Sequence, residues 1–274
     1  DPDTGTDPDT GTDTGTDPDP ETPSAGVAPS GNFNLSIWKL TLPVSRTYYF
    51  GSGGDSAAEI LPGPSEHSGI LPLDQGFVDT DYFYTAADGS MAFKTLLSGG
   101  ASTTNSSYVR SELRELYQWT PGSSTENANW PNEGSHTLQA TVKVVEYYAA
   151  DPQTVVGQIH AKDSSKALLK LQWDGPTAPV RAIINNDPSS GNPFSLSFGV
   201  VGTQPFTYTI RLVENTLSIT VNGNTQTVTF GQNGMSSAWD DHVYYFKAGN
   251  YAQADRESGG LFEVHISALS VTHQ

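Results

Sequence analysis

Beyond its first two dozen residues, the chain repeatedly trades apolar and polar side chains at every second position. Leu138, Ala140, Val142 and Val144 alternate with Gln139, Thr141 and Lys143. Successive side chains of a strand point to opposite faces, so a period of two marks a strand with one buried face. Residues 208–212 and 217–221 repeat the pattern. Asn222-Gly223 follows, a pair that tolerates positive φ and so closes a tight hairpin, with 225–230 as the returning strand. Residues 262–271 form a last alternating segment. Helical periodicity is weak, and helix is expected only as short pieces, for example near 234–239. Short strands divided by Gly, Asn and Pro predict an all-β fold, a sandwich of two antiparallel sheets.

Composition changes this picture at one end. Residues 1–24 repeat Asp, Pro, Thr and Gly, with nothing apolar to bury and charges that repel, so a disordered linker is expected over 1–26 and a single domain over 27–274. The whole chain carries a formal charge of -17. Eight of its 30 acids lie in the repeat, leaving 22 against 13 bases in the body. An acidic body argues against nucleic acid or an anionic membrane as a general partner. If the protein grips an anion, its few cations must be concentrated. There is no cysteine, which removes disulfides and thiolate metal sites. No apolar run is long enough to span a bilayer. With no initiator Met or signal-peptide pattern, the chain reads as a processed or trimmed form of a secreted bacterial protein. No apolar stripe calls for a partner copy, and a monomer is expected.

Three distant segments supply the concentration. In Arg110-Ser111-Glu112-Leu113-Arg114-Glu115, the residues Arg110, Glu112 and Arg114 share one strand face. In Gln158-Ile159-His160 the two polar residues share a face, and in 247–253 Lys247, Tyr251 and Gln253 do. Two Arg, a Lys, a Gln, a His and a Tyr suit a polyanion that also needs proton transfer. Each segment alone has a plainer reading. The Arg/Glu/Arg set is an ordinary cross-strand charge ladder, and Tyr251 a packing residue. Their joint occurrence favours chemistry.

YVRSELRE, QIH and YFKAGNYAQ also resemble, in order, three signature motifs of the alginate lyases of polysaccharide lyase family 7, and NFNLSIWKLTLPV resembles the start of that catalytic domain. The resemblance runs from about Asn32 to the C-terminus. It implies a β-jelly roll whose concave sheet forms the substrate cleft, and cleavage of a 1,4-linked polyuronate by β-elimination. It also implies that Arg110, Gln158, His160 and Tyr251 are the catalytic four. Tyr251 would protonate the leaving oxygen and serve as base on mannuronate; His160 would be the base on guluronate. Arg114, Lys247 and Gln253 would bind neighbouring carboxylates, and Glu112, counted with them as substrate-binding, would orient the two arginines. Ile159, between Gln158 and His160, goes with acceptance of guluronate blocks, with some polymannuronate activity. The residues allow these roles: a guanidinium fork holds a carboxylate bidentately, an amide donates to it, and imidazole and phenol move protons. No metal or cofactor is called for.

Two polar segments, 120–134 and 185–193, read as loops flanking an open, endo-acting groove. Trp38, Trp119, Trp173 and Trp239 read as core aromatics, Trp130 as a loop residue in reach of sugar, and His67, His136, His242, His265 and His273 as surface or loop residues. Rival readings are a glycoside hydrolase, for which no carboxylate pair is evident, a non-catalytic carbohydrate-binding sandwich, and a lyase on another polyuronate such as glucuronan.

Overall fold

A computed structural model describes residues 23–104, 106–255 and 259–274. The expected linker lies, up to residue 22, outside the described residues. Strands β1 (Trp38–Ser45), β2 (Ala57–Ile60), β5 (Arg110–Glu115), β7 (Thr154–Ala161), β8 (Ala167–Trp173), β9 (Pro179–Asn185), β10 (Pro193–Val200) and β14 (Tyr244–Ala252) make one sheet. Its order is β10-β9-β8-β7-β14-β5-β1-β2. The facing sheet contains β3 (Phe83–Thr85), β4 (Met91–Leu96), β6 (Ser135–Glu146), β11 (Phe206–Val213), β12 (Thr216–Val221), β13 (Asn224–Thr229) and β15 (Leu261–His273). The order there is β13-β12-β11-β6-β15-β4-β3. Neighbours pair antiparallel throughout, as in β7 with β14 and β14 with β5. The two-sheet jelly roll expected from the sequence is the fold found.

The alternating segments set the core. His136, Leu138, Ala140, Val142 and Val144 of β6 are buried, and the residues between them face outward. Trp38, Trp173, Trp239, Phe93 and Phe246 fill the space between the sheets. Each such side chain contributes about 1.5–3 kcal/mol on burial. Asn222 and Gly223 have φ of 46° and 82°, the geometry the predicted hairpin requires.

Some expectations need correction. Trp130 is fully buried, its ring stacked 4.2 Å from that of His136, so it cannot stack on sugar. His136 is buried on β6 rather than lying at the surface. Trp119 is only half-buried, in the turn after β5. The helical piece foreseen near 234–239 is a 3-10 turn over Ser237–Asp241. Two helices, α1 (Pro29–Asn32) and α2 (Arg46–Phe50), are too short to leave a periodic signal.

Candidate active site

The three motif segments become three consecutive strands, β7-β14-β5, in the middle of the larger sheet. Register then fixes their partners. Lys247 lies opposite both Arg114 and Gln158, Tyr251 opposite Arg110, and Tyr245 opposite His160. Arg110, Glu112, Arg114, Gln158, His160, Lys247 and Tyr251 therefore share the face turned away from the core. Arg110, Arg114, Gln158 and Lys247 are nonetheless at most 8% exposed. The face is thus a recess.

Its hub is Glu112, fully buried. Arg110 Nη1 donates to Glu112 Oε2 at 2.9 Å, Lys247 Nζ lies 2.5 Å from the same oxygen, and Gln158 Nε2 donates to Oε1. Burial alone would raise this carboxyl, but Lys247 and Arg110, with the Lys247 and Gln158 hydrogen bonds, hold it below the usual carboxylate range. Glu112 was expected to orient both arginines and to serve binding. Of the two arginines it contacts Arg110 alone, and its side chain is fully buried among Arg110, Lys247 and Gln158.

Arg110 Nη2 also donates to Ser106 Oγ at 3.0 Å, and its guanidinium lies 3.7 Å over the Tyr251 ring. Ser106 Oγ in turn is 3.0 Å from the Tyr251 hydroxyl. Tyr251, Ser106, Arg110 and Glu112 thus form one connected set. Arg114 is held differently. It donates to the carbonyls of Glu115 (2.6 Å) and Ala128 (2.9 Å) and to Asn129 Oδ1 (2.7 Å), and it stacks 4.1 Å over Tyr245. Ala128 and Asn129 belong to the segment 120–134, so this loop does flank the site, and Lys162 Nζ ties it down through Asn127 Oδ1 at 3.0 Å.

His160 stacks on Tyr245 with rings 5.4 Å apart. Its Nδ1 is 2.8 Å from the Ala161 carbonyl, so Nδ1 carries the hydrogen and Nε2 keeps a free lone pair. Burial, reinforced by the charges of Lys247 and Arg110 and only partly offset by the Ala161 bond, pushes the imidazole down to about 4. It is neutral, and able to take a proton, across the physiological range. Burial also pulls Lys247 below the usual lysine range and pushes the Tyr245 phenol up to about 12. His160 and Tyr251 make no direct contact. The Lys247–Gln158 pair lies between them along β14.

Gln253 lies just past β14, its amide near the carbonyls of Tyr251 and Ala252 and its oxygen accepting from Lys170 Nζ at 3.3 Å. Asn250 points the other way. It accepts from Thr154 Oγ1 and donates to the carbonyls of Phe93 and Phe262, which ties the site strand to the opposite sheet. Gly249, at φ 145°, is required, since a Cβ there would lie 2.8 Å from Glu112 Cα and Ser111 O. Among the described residues no cluster of His, Asp, Glu or Cys is placed to hold a metal ion.

Sequence reasoning missed Tyr245, Lys170 and Ser106. The alternation through Lys247 reaches Tyr245 two residues earlier, and Lys170 is a lone cation among Leu168, Leu169 and Leu171, so both had a signal. Ser106 lies in an irregular segment and had none.

A recess on an antiparallel sandwich, lined by guanidinium, ammonium, amide, imidazole and phenol, defines an enzyme that holds a carboxylated sugar chain and moves protons on it. The sequence model for alginate lyases matches residues 33–273. An alginate lyase of Klebsiella pneumoniae is 26% identical over 82% of this chain and 84% of its own length. The crystal structure of alginate lyase A1-II′, a member of polysaccharide lyase family 7, superimposes with a TM-score of 0.74 at 31% identity, covering 90% of this chain and 99% of that one. A variant of that enzyme, with one His changed to Asn and one Tyr to Phe, has been solved in complex with a substrate designated GGMG. It covers 91% of this chain and 97% of its own at 30% identity and a TM-score of 0.74. The chain belongs to the alginate lyase family, whose members are polysaccharide lyases acting by β-elimination.

Proposed function

We propose that Arg110, Gln158, His160 and Tyr251 carry the elimination, and that the enzyme cuts within the polymer and accepts both guluronate-containing and polymannuronate blocks. The observation that supports this most is the adjacency of β5, β14 and β7, which gathers the four side chains into one recess. The C5 proton of a uronate is weakly acidic because the neighbouring carboxylate is already charged. Arg110 and Gln158 would bind that carboxylate and let it accept further negative charge as the proton leaves. On guluronate, His160 Nε2 would take the C5 proton. The C5–H electrons form the C4=C5 double bond, the C4–O bond breaks, and Tyr251 gives its phenolic proton to the leaving oxygen. On mannuronate the proton departs from the side of Tyr251, which would act as both base and acid.

Two side chains on opposite sides of the Lys247–Gln158 pair suit both epimers, and Ile159, packed in the core beneath them, sets the strand position through its neighbours. In the neighbour solved with GGMG a His and a Tyr were replaced. That is what trapping a substrate by removing a base and an acid would call for. Arg114, Lys247 and Gln253 would hold carboxylates of adjoining rings. The loop 120–134 lines one flank through Ala128 and Asn129, which hold Arg114. We also infer a secreted monomer, since a polymeric substrate does not cross a bilayer.

Tyr251→Phe tests the assignment. It should nearly abolish the ultraviolet absorbance that unsaturated uronates produce, while binding of oligosaccharide stays close to that of the parent. A variant that kept most of its rate would remove Tyr251 from its role. Initial rates on purified guluronate and mannuronate blocks test the specificity; activity on mannuronate alone would contradict it.

A further inference from the structure

Lys170 stands on β8, opposite Gln158 in register and facing the same recess. The other cations of this face have fixed partners. Arg110 and Lys247 share Glu112, Lys39 lies 3.0 Å from Glu59, Arg181 pairs with Asp174, and Arg114 is held by two carbonyls and Asn129. Among the described residues no carboxylate lies within ion-pair distance of Lys170, and its hydrogen bond to Gln253 Oε1 is long, at 3.3 Å. The charges that reach it, Arg110 and Lys166, are both positive, and burial first of all depresses its ammonium. A largely desolvated ammonium that meets only like charge among the described residues is costly to keep. An arriving anion would relieve that cost.

Register shows where such an anion comes from. Lys39, Arg114, Lys247, Gln158 and Lys170 form one straight row across β1, β5, β14, β7 and β8. With strands about 4.8 Å apart, Arg114 and Lys170 stand roughly 14 Å apart at the backbone, on either side of the central pair. Beyond Lys170 the row continues into Ile183 on β9, which carries no charge. The cationic part of the row therefore ends at Lys170.

The geometry points to Lys170 as a substrate-binding residue. It would hold the carboxylate of a uronate ring beyond the reactive one, with the polymer lying along this row, across the strands, and Lys170 marking the end opposite Lys39. The inference rests on the reading that Arg110 and Gln158 hold the reactive ring.

Steady-state kinetics on size-defined alginate oligomers and on polymer test it, with Lys170→Met and Lys170→Arg. Lys170→Met should raise KM on polymer and long oligomers about tenfold, the scale of one charge-assisted hydrogen bond. The rise should be smaller on the shortest cleavable oligomers, which do not extend to β8, and kcat should change far less than KM. Lys170→Arg should restore most of the affinity. An unchanged KM, or an equal rise at every length, would overturn the assignment. Should Lys170→Met not fold, Lys170→Gln removes the charge with a polar chain and carries the same comparison. Arg110→Ala, run in parallel, separates the two readings. A loss of kcat there with no length-dependent effect at Lys170 refutes only the distal subsite, whereas an intact kcat refutes the placement of the reactive ring.

Discussion

Glu112 and Glu115 lie on the same strand and both are shut off from solvent, yet they serve opposite sides of the sheet. Glu112 faces the recess and is satisfied by Arg110, Lys247 and Gln158. Glu115 faces inward. It accepts from Trp130 Nε1 (2.8 Å) and the Phe246 backbone N–H (2.9 Å) and meets His273 Nε2 at 2.5 Å. His273 Nδ1 is 2.7 Å from His136 Nδ1, and His136 Nε2 is 2.8 Å from the Glu133 carbonyl. Burial holds His136 below the usual histidine range. The first carboxylate thus fixes Arg110 and Lys247, the cations proposed to meet a substrate. The second fastens the loop 120–134 and the C-terminal strand β15 to the end of β5. Burial and charge pairing alone do not tell the two clusters apart; the face each turns to does.

The sharpest way to break the comparison is to remove one member from each cluster. Arg110→Ala takes away the donor proposed to stabilise charge on the reacting carboxylate, and should lower kcat about 100- to 1,000-fold. The ultraviolet elimination assay reads it, with oligosaccharide binding and a thermal melt as controls. A loss no larger than that of a surface substitution would mean that this cluster is as structural as the other.

Glu115→Gln is the matched change on the inner side. It keeps an acceptor for Trp130 and Phe246 but removes the charge facing His273, which should cost about 1–3 kcal/mol of stability. In a protein of this size that lowers Tm by several degrees. The kcat should stay near that of the parent, because the Arg114 contact is to the Glu115 backbone carbonyl, which the substitution leaves in place. A large fall in kcat at unchanged Tm would erase the distinction between the clusters.

Most of the recess and little of the inner cluster could be read in the sequence, for a physical reason. A period of two assigns each residue to a face, and Arg110, Glu112, Gln158, His160, Lys247 and Tyr251 follow from that period once their segments are recognised. The same period places Glu115 with Leu113 on the opposite face. It says nothing about which residue of the other sheet will meet it. His136 and His273 are 137 positions apart in sequence and touch only because β6 and β15 pair in one particular register. The sequence reads Trp119 as core and Trp130 as loop, and the structure reverses the two: packing against His136 and Tyr244 buries Trp130, while Trp119 stays half-buried. The hairpin at Asn222-Gly223 was legible for the opposite reason. Its conformation is decided by those two residues alone.

The smallest predicted effect joins the two clusters. Arg114 belongs to the recess face, but its donors end on the Glu115 and Ala128 carbonyls and on Asn129 Oδ1, and Ala128 and Asn129 precede Trp130 in the loop that Glu115 fastens. Two of those three acceptors are backbone and cannot be mutated away, so Asn129→Ala removes one bond and leaves the guanidinium stacked on Tyr245. A charged hydrogen bond at this partly buried position is worth about 1 kcal/mol, which corresponds to a few-fold change. Because Arg114 would bind a ring next to the reactive one, the change should appear as a few-fold higher KM on polymer with kcat almost unaltered. Uniform binding energy, shared by ground and transition state, behaves in this way. If kcat fell instead, Arg114 would be acting on the reacting carboxylate itself, and the loop anchored by Trp130 would belong to the catalytic cluster rather than to its frame.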